Sequence, residues 1–299
     1  MKNFITIIII ISLTFIFGCE ANLSNRVFNI DPNKESTNIK GPLWKVEDDN
    51  NTVYLYGTIH NANKDIYPLH DDIEEAFNNS DILVVEQDFS DERLDRNELK
   101  SLLYYENGDT MENHLTEKAL NIVKKYSKTI QGGYKEAIKL KPFAYARSME
   151  DILSKSDKFD SSFGVDNYFL QKAQILNKEI ISLDNTLKLY EDLGKLSDKY
   201  SNEIILNLDN ITEESGVESL EMWKTASIEN LELSLDTSLK EYNDIVLYKR
   251  NEEWIEKVIK YINDDKDYFV SVGSYHLVGE NSLVYLLEKR GFKVLFLSN

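Results

Sequence analysis

Two stretches at opposite ends of the chain follow one plan. Tyr54-Leu55-Tyr56-Gly57-Thr58-Ile59-His60 is an apolar, β-prone run that breaks at glycine and ends on histidine. Tyr268-Phe269-Val270-Ser271-Val272-Gly273-Ser274-Tyr275-His276 does the same. Each is followed by a helical pattern and a second apolar run, Ile82-Leu83-Val84-Val85-Glu86 in the first half and Phe292-Lys293-Val294-Leu295-Phe296-Leu297 in the second. The repeated unit is strand, Gly-x-x-His, helix, strand. It restricts the fold to an α/β (α+β) class in which both halves feed one sheet. A glycine at the end of a strand is free to take a positive φ and turn the chain. Each histidine then stands at the mouth of the sheet, where open α/β folds bind ligands. Two such histidines can converge on one metal or one substrate.

The segments around and between these units complete the expected architecture. Leu43 to Val46 and Thr52 to Gly57 read as paired strands across Asp48-Asp49-Asn50-Asn51, a tetrad suited to a hairpin loop. From residue 91 to 265 the apolar positions fall mainly at three- and four-residue spacing, which predicts helices. One β-like interruption, Glu179-Ile180-Ile181-Ser182-Leu183-Asp184, is placed to return to the sheet. The expectation is a sheet core from residues 43–90 and 266–297, with a helical cap inserted at 91–265 and overhanging the histidines.

Ahead of this domain the chain carries an address. Residues 1–18 have Lys2 and an apolar stretch from Phe4 to Phe17, shorter than the roughly 20 apolar residues of a spanning helix. Ile16-Phe17-Gly18-Cys19 resembles a bacterial lipobox, and Cys19 is the only cysteine, so no internal disulfide or thiolate cluster can form. Read this way, Cys19 is acylated and anchors the protein to a membrane of the cell envelope, on its extracytoplasmic side. The alternative is an ordinary signal peptide or an uncleaved anchor. Residues 19–42 are polar and Asn/Ser-rich and read as a tether closed by Gly41-Pro42. A formal net charge of −18 argues against a nucleic-acid partner, which would draw on clustered Lys and Arg. It also argues against binding of anionic lipid by the protein surface, so membrane residence rests on the acyl chains.

Among the titratable residues, His60 and His276 stand out because they hold the same place in a repeated unit. His70 and His114 lack that setting and read as a loop histidine and an exposed helix start. Glu86 closes the apolar strand beside His60, and an acid there is costly unless paired or ligated. Two histidines and one carboxylate form a mixed N/O donor set suited to Mn, Fe, Co or Zn. Without metal, the same trio can supply a base, an orienting group and an electrostatic stabiliser.

These residues carry a resemblance. Leu43-Trp44-Lys45-Val46, the Gly57-x-x-His60 run and Val84-Val85-Glu86 are similar to the opening of the TraB/GumN family, which includes the Tiki-type metalloproteases. Arg250-Asn251-Glu252-Glu253-Trp254, Val272-Gly273-Ser274-Tyr275-His276-Leu277 and Gly291-Phe292-Lys293-Val294 match its end. Leu140-Lys141-Pro142-Phe143-Ala144 and Phe163-Gly164-Val165-Asp166 fall where similar family segments occur, and the likeness spans residues 43–297. It implies a divalent-metal-dependent peptidase acting on a peptide or protein. His60 and His276 would bind the metal, and Glu86 would be a ligand or the base. Arg250 and Asn251 would face the site, with Arg250 offered to a developing oxyanion. Asp166 and Asp184 are weaker candidates, read as cap or turn residues. Relatives of the fold also imply two alternatives, a haem- or ligand-binding lipoprotein and a metal-free esterase.

Overall fold

The computed structural model describes residues 34–47, 51–88, 95–156 and 159–298. The expected leader, the lipid-attachment residue Cys19 and the first part of the tether lie outside the described residues. Within them, no helix is long and apolar enough to cross a membrane.

The sheet has six strands: β1 (Leu43–Glu47), β2 (Thr52–Thr58), β3 (Ile82–Val85), β4 (Glu179–Ser182), β5 (Tyr268–Gly273) and β6 (Val294–Phe296). Their order is β4-β3-β5-β2-β1-β6. The expected hairpin is present, with β1 antiparallel to β2, and β6 adds antiparallel to β1. The remaining pairs, β2 with β5, β3 with β5 and β3 with β4, are parallel. The two halves of the repeat therefore interleave, since β5 of the second half lies between β2 and β3 of the first. The β-like interruption at residue 179 is the edge strand β4.

Period-two alternation divides the strand side chains between two faces. Val53, Leu55, Ile82, Val84, Val270 and Val272 share one cluster with Trp254, Ile255, Val258 and Ile262 of helix Lys249–Ile262. Tyr56, Leu83, Val85 and Phe269 share the other with Ile73 and Phe77 of helix Asp71–Asn79 and Val165 and Phe169 of helix Val165–Ile175. Several helices and one strand from the expected insertion thus belong to the layers of the sheet. Leu220 and Trp223 of helix Glu213–Lys224 join the second sheet cluster and Leu231 of helix Ile228–Ser234 the first, while other helices of the insertion build their own cluster, around Leu103, Tyr145, Met149, Tyr190 and Leu247.

The end of the expected tether is fastened to the domain. Thr37 N–H donates to Pro68 O at 3.0 Å, His70 N–H to Ile39 O at 2.9 Å, and Tyr56 Oη to Lys40 O at 2.8 Å.

Candidate active site

The C-terminal ends of β3, β5 and β2 lie side by side, and the sequence continues from them to Glu86, His276 and His60. The parallel register sets Thr58 opposite Gly273, and Ser274 Oγ donates to Thr58 O at 2.9 Å, which ties the two motifs together. A Cβ at Gly273 would stand 3.2 Å from Glu86 Oε1 and 3.8 Å from both His60 Nε2 and His276 Cδ2. Three sequence-predicted site residues therefore border one methyl-sized space.

The glycines act differently from the expectation of a positive-φ turn. Gly273 has φ −52°, and Gly57 is not among the positive-φ glycines. Space is what each position demands. Gly273 leaves the gap just described, whereas a Cβ at Gly57 would stand 2.7 Å from Pro42 Cγ and 2.9 Å from Ser274 Oγ.

His276 is fully buried and held in one tautomer. Asn251 Nδ2 donates to Asn281 O at 2.9 Å, which turns its Oδ1 toward His276 Nδ1 at 2.7 Å. The ring proton therefore sits on Nδ1, and Nε2 keeps its lone pair. That nitrogen faces Arg250 Nη1 at 3.1 Å. Burial, joined by the Arg250 charge, pushes the His276 pKa down to about 3 despite Glu86 nearby. Trp254 packs against the ring with centroids 4.4 Å apart.

Arg250 knots the site. Its Nη2 donates to Glu86 Oε2 and, at 2.9 Å, to Asp184 Oδ2. Nε donates to Asp184 Oδ1 at 3.1 Å, Nη1 to Val246 O at 2.8 Å, and the guanidinium lies 4.4 Å over Trp254. Glu86 Oε1 accepts from Gly273 N–H at 2.6 Å. Burial by itself would raise the Glu86 pKa. Arg250, the two histidines and that N–H outweigh it and hold the carboxyl far below its usual range.

Asp184, at the bend after β4, also belongs here through its bonds to Arg250. The β3–β4 pairing runs on past the strands through Asp184 N–H to Glu86 O at 2.9 Å, and Trp254 Nε1 donates to Asp184 Oδ1 at 2.9 Å. The sequence held a signal for it, because Asp184 closes the β-like run from Glu179 as Glu86 closes the apolar run from Ile82.

His60 faces the other way. The turn after β2 is held by Val165 N–H donating to Ile59 O at 2.9 Å and by the Ala62–Asp160 bridge. This brings Asp166 Oδ1 to 3.2 Å from His60 Nδ1 as an ion-pair contact, and among the described residues both ring nitrogens and that oxygen are buried without a hydrogen bond. Burial pushes the His60 pKa down, but Asp166 and then Glu86 outweigh it and the net shift is upward. Beyond His60 lies a second buried polar group that the sequence reading missed, Arg147, Glu150 and Asp151 on helix Pro142–Leu153.

His70 and His114 are structural. His70 caps helix Asp71–Asn79 by accepting from Asp72 N–H at 3.1 Å, and His114 bridges Asp109 and Asp198 while stacked on Tyr105.

The donor set suits a divalent cation chemically. Glu86 is ionised, His276 Nε2 is deprotonated, and His60 Nε2 is an orphaned buried donor beside the Gly273 gap. In this arrangement the set does not close on one point. Among the described residues no group of three His, Cys, Asp or Glu is placed to hold a metal ion. Arg250 brings its guanidinium to both Glu86 and His276.

The chain is 24% identical over 246 residues to the Uncharacterized protein YbaP of Escherichia coli (strain K12), covering 80% of this chain and 89% of that one. The Shigella flexneri protein of the same description is 24% identical over 242 residues, covering 79% and 87%. No solved structure matches. The model of the TraB/PrgY/gumN family matches residues 42–295, a span that begins one residue before β1 and takes in every residue of the site, and the chain belongs to that family.

Proposed function

We propose that this protein is a hydrolase of peptide bonds, with a peptide or protein substrate, tethered to the cell envelope through Cys19. The observation that supports this most is the meeting of His60, Glu86 and His276 around Gly273, at the ends of three adjacent parallel strands. Such sheet mouths are where α/β folds place ligands.

Each side chain has a distinct task in this reading. His60 is the group able to accept a proton from water, because its Nε2 carries no internal bond, and Asp166 beside Nδ1 stabilises the charge that results. Asn251 keeps the His276 tautomer fixed. Arg250 offers a preorganised cation to a developing oxyanion, in surroundings that exclude water. A divalent ion (Mn, Co, Fe or Zn) held by His60, Glu86 and His276 would lower the pKa of bound water and polarise the scissile carbonyl.

A second reading has its own support. Arg250 already engages Glu86 and His276, so the same residues can work without metal, with His60 as the general base.

Metal titration of the purified protein, beside His60→Ala and His276→Ala, separates the two. Near-stoichiometric binding lost in both variants, with peptide hydrolysis lost on exhaustive chelation, is the expected outcome. Hydrolysis that survives chelation and disappears in His60→Ala selects the metal-free base. A folded, metal-replete protein that binds no metal and cleaves nothing in a peptide library sinks both.

A further inference from the structure

Arg147 is 3% exposed, yet only part of its guanidinium is satisfied. Nη1 donates to Glu150 Oε2 at 2.8 Å, whereas Nε and Nη2 are buried without a hydrogen-bond partner among the described residues. Those two N–H groups lie on one edge of the planar guanidinium, and that edge matches the two oxygens of a single carboxylate. Such donors are rarely left orphaned inside a protein.

The neighbours are unsatisfied too. Among the described residues, Glu150 Oε1, Asp151 Oδ1 and the Tyr190 hydroxyl are buried without a hydrogen bond, as are the ring nitrogens of His60 and Asp166 Oδ1. Arg147 and His60 both act electrostatically on Glu150 and Asp151, and Arg147 and Arg250 both act on Tyr190. Apart from the Arg147–Glu150 bond, none of these groups is hydrogen-bonded to another among the described residues, so the Nε–Nη2 edge of Arg147 has no acceptor there. The cluster runs from His60 to the Arg250 side of the site.

We infer that Arg147 binds the carboxylate of a short peptide's free C-terminus, its Nε–Nη2 edge taking both oxygens while the peptide lies toward His60. A carboxylate fits better than phosphate because Glu150 and Asp151 follow Arg147 on the same helix, and a dianion would meet more repulsion than a monoanion. Combined with the hydrolase reading, on which this part rests, the assignment makes the enzyme one that trims short peptides from the C-terminal end.

The test reads binding alone, so a protein without hydrolytic activity can pass it and an active hydrolase can fail it. N-acetyl-dialanine, its C-terminal amide and inorganic phosphate are titrated calorimetrically into the purified protein. The free acid is expected to bind saturably and the amide roughly ten- to hundredfold more weakly, as loss of hydrogen bonds between charged groups predicts. Arg147→Lys, which keeps the charge and loses the two-pronged edge, is expected to weaken the acid by a similar factor and the amide little. Equal binding of acid and amide, tighter binding of phosphate, or no binding of either peptide overturns the assignment. The acid–amide comparison needs no variant, so it stands even if substitution at Arg147 impairs folding.

Discussion

A methyl group added at Gly273 would border Glu86, His60 and His276, whereas one added at Gly57 would press on Pro42 and Ser274. The two glycines hold matching places in the repeat, yet substitution should separate them. Gly273→Ala is expected to fold, with loss of stability of about 1 kcal/mol, because its φ suits any residue and Glu86 has only to shift slightly. The metal binding and hydrolysis proposed for the site should nonetheless fall sharply. Gly57→Ala should cost more, up to about 3 kcal/mol, because it overpacks against a proline ring and a backbone. Urea denaturation beside metal titration checks both, and an inactive, strongly destabilised Gly273→Ala would refute the distinction. At this scale the histidines, Glu86 and the two glycines were legible because they interrupt apolar runs at fixed places. Arg147 and Asp151 on helix Pro142–Leu153 and Tyr190 on helix Thr186–Leu193 were not, because only tertiary packing brings the two helices to common neighbours.

Among the elements, the segment from Asp244 to Ile262 does most to assemble the site. It begins as a π-helix, Asp244–Tyr248, and continues as helix Lys249–Ile262. Val246 and Leu247 pack in the helical layer and Trp254 and Ile255 on the sheet, so Arg250 and Asn251 fall at the junction. The wider turn of a π-helix loosens the usual carbonyl ladder, and Val246 O accepts from Arg250 Nη1. The sequence predicted a helix here by its apolar spacing. It did not show that the stripe faces the sheet, since an amphipathic pattern says which side is buried and not against what. Because Arg250 is 3% exposed and bonded to two carboxylates, Arg250→Met should destabilise by about 3–5 kcal/mol, leaving buried charges without a partner. Asp184→Asn in the same chain should recover part of that loss, since it removes one of those charges. Additive costs in the double-mutant cycle would show that Asp184 and Arg250 are not energetically coupled.

Across the whole molecule, the apolar clusters on the sheet and in the helical layer meet at a seam lined with ionisable groups, and this seam should set how stability varies with pH. Glu150 is 2% exposed, and burial raises its pKa to about 7 although Arg147 beside it opposes the shift. Asp151 and His60 also act on it, the first in the direction of burial and the second with Arg147. A carboxyl raised in this way binds more protons folded than unfolded between its ordinary value of 4.5 and about 7. Its contribution is therefore fully present at the acid end of that window and is lost as pH rises through about 7. His276 pulls the other way, since its pKa falls from 6.5 to about 3 and the folded form binds fewer protons below 6.5. The wild-type curve mixes the two effects, so the informative quantity is the difference from Glu150→Gln, which has no proton to exchange. Relative to that variant, the wild type should lose on the order of 1–3 kcal/mol between about pH 5 and about pH 8. Urea unfolding of both proteins across that range measures it. Parallel curves would mean that Glu150 titrates as an ordinary carboxylate and that Arg147 faces a fully charged partner throughout.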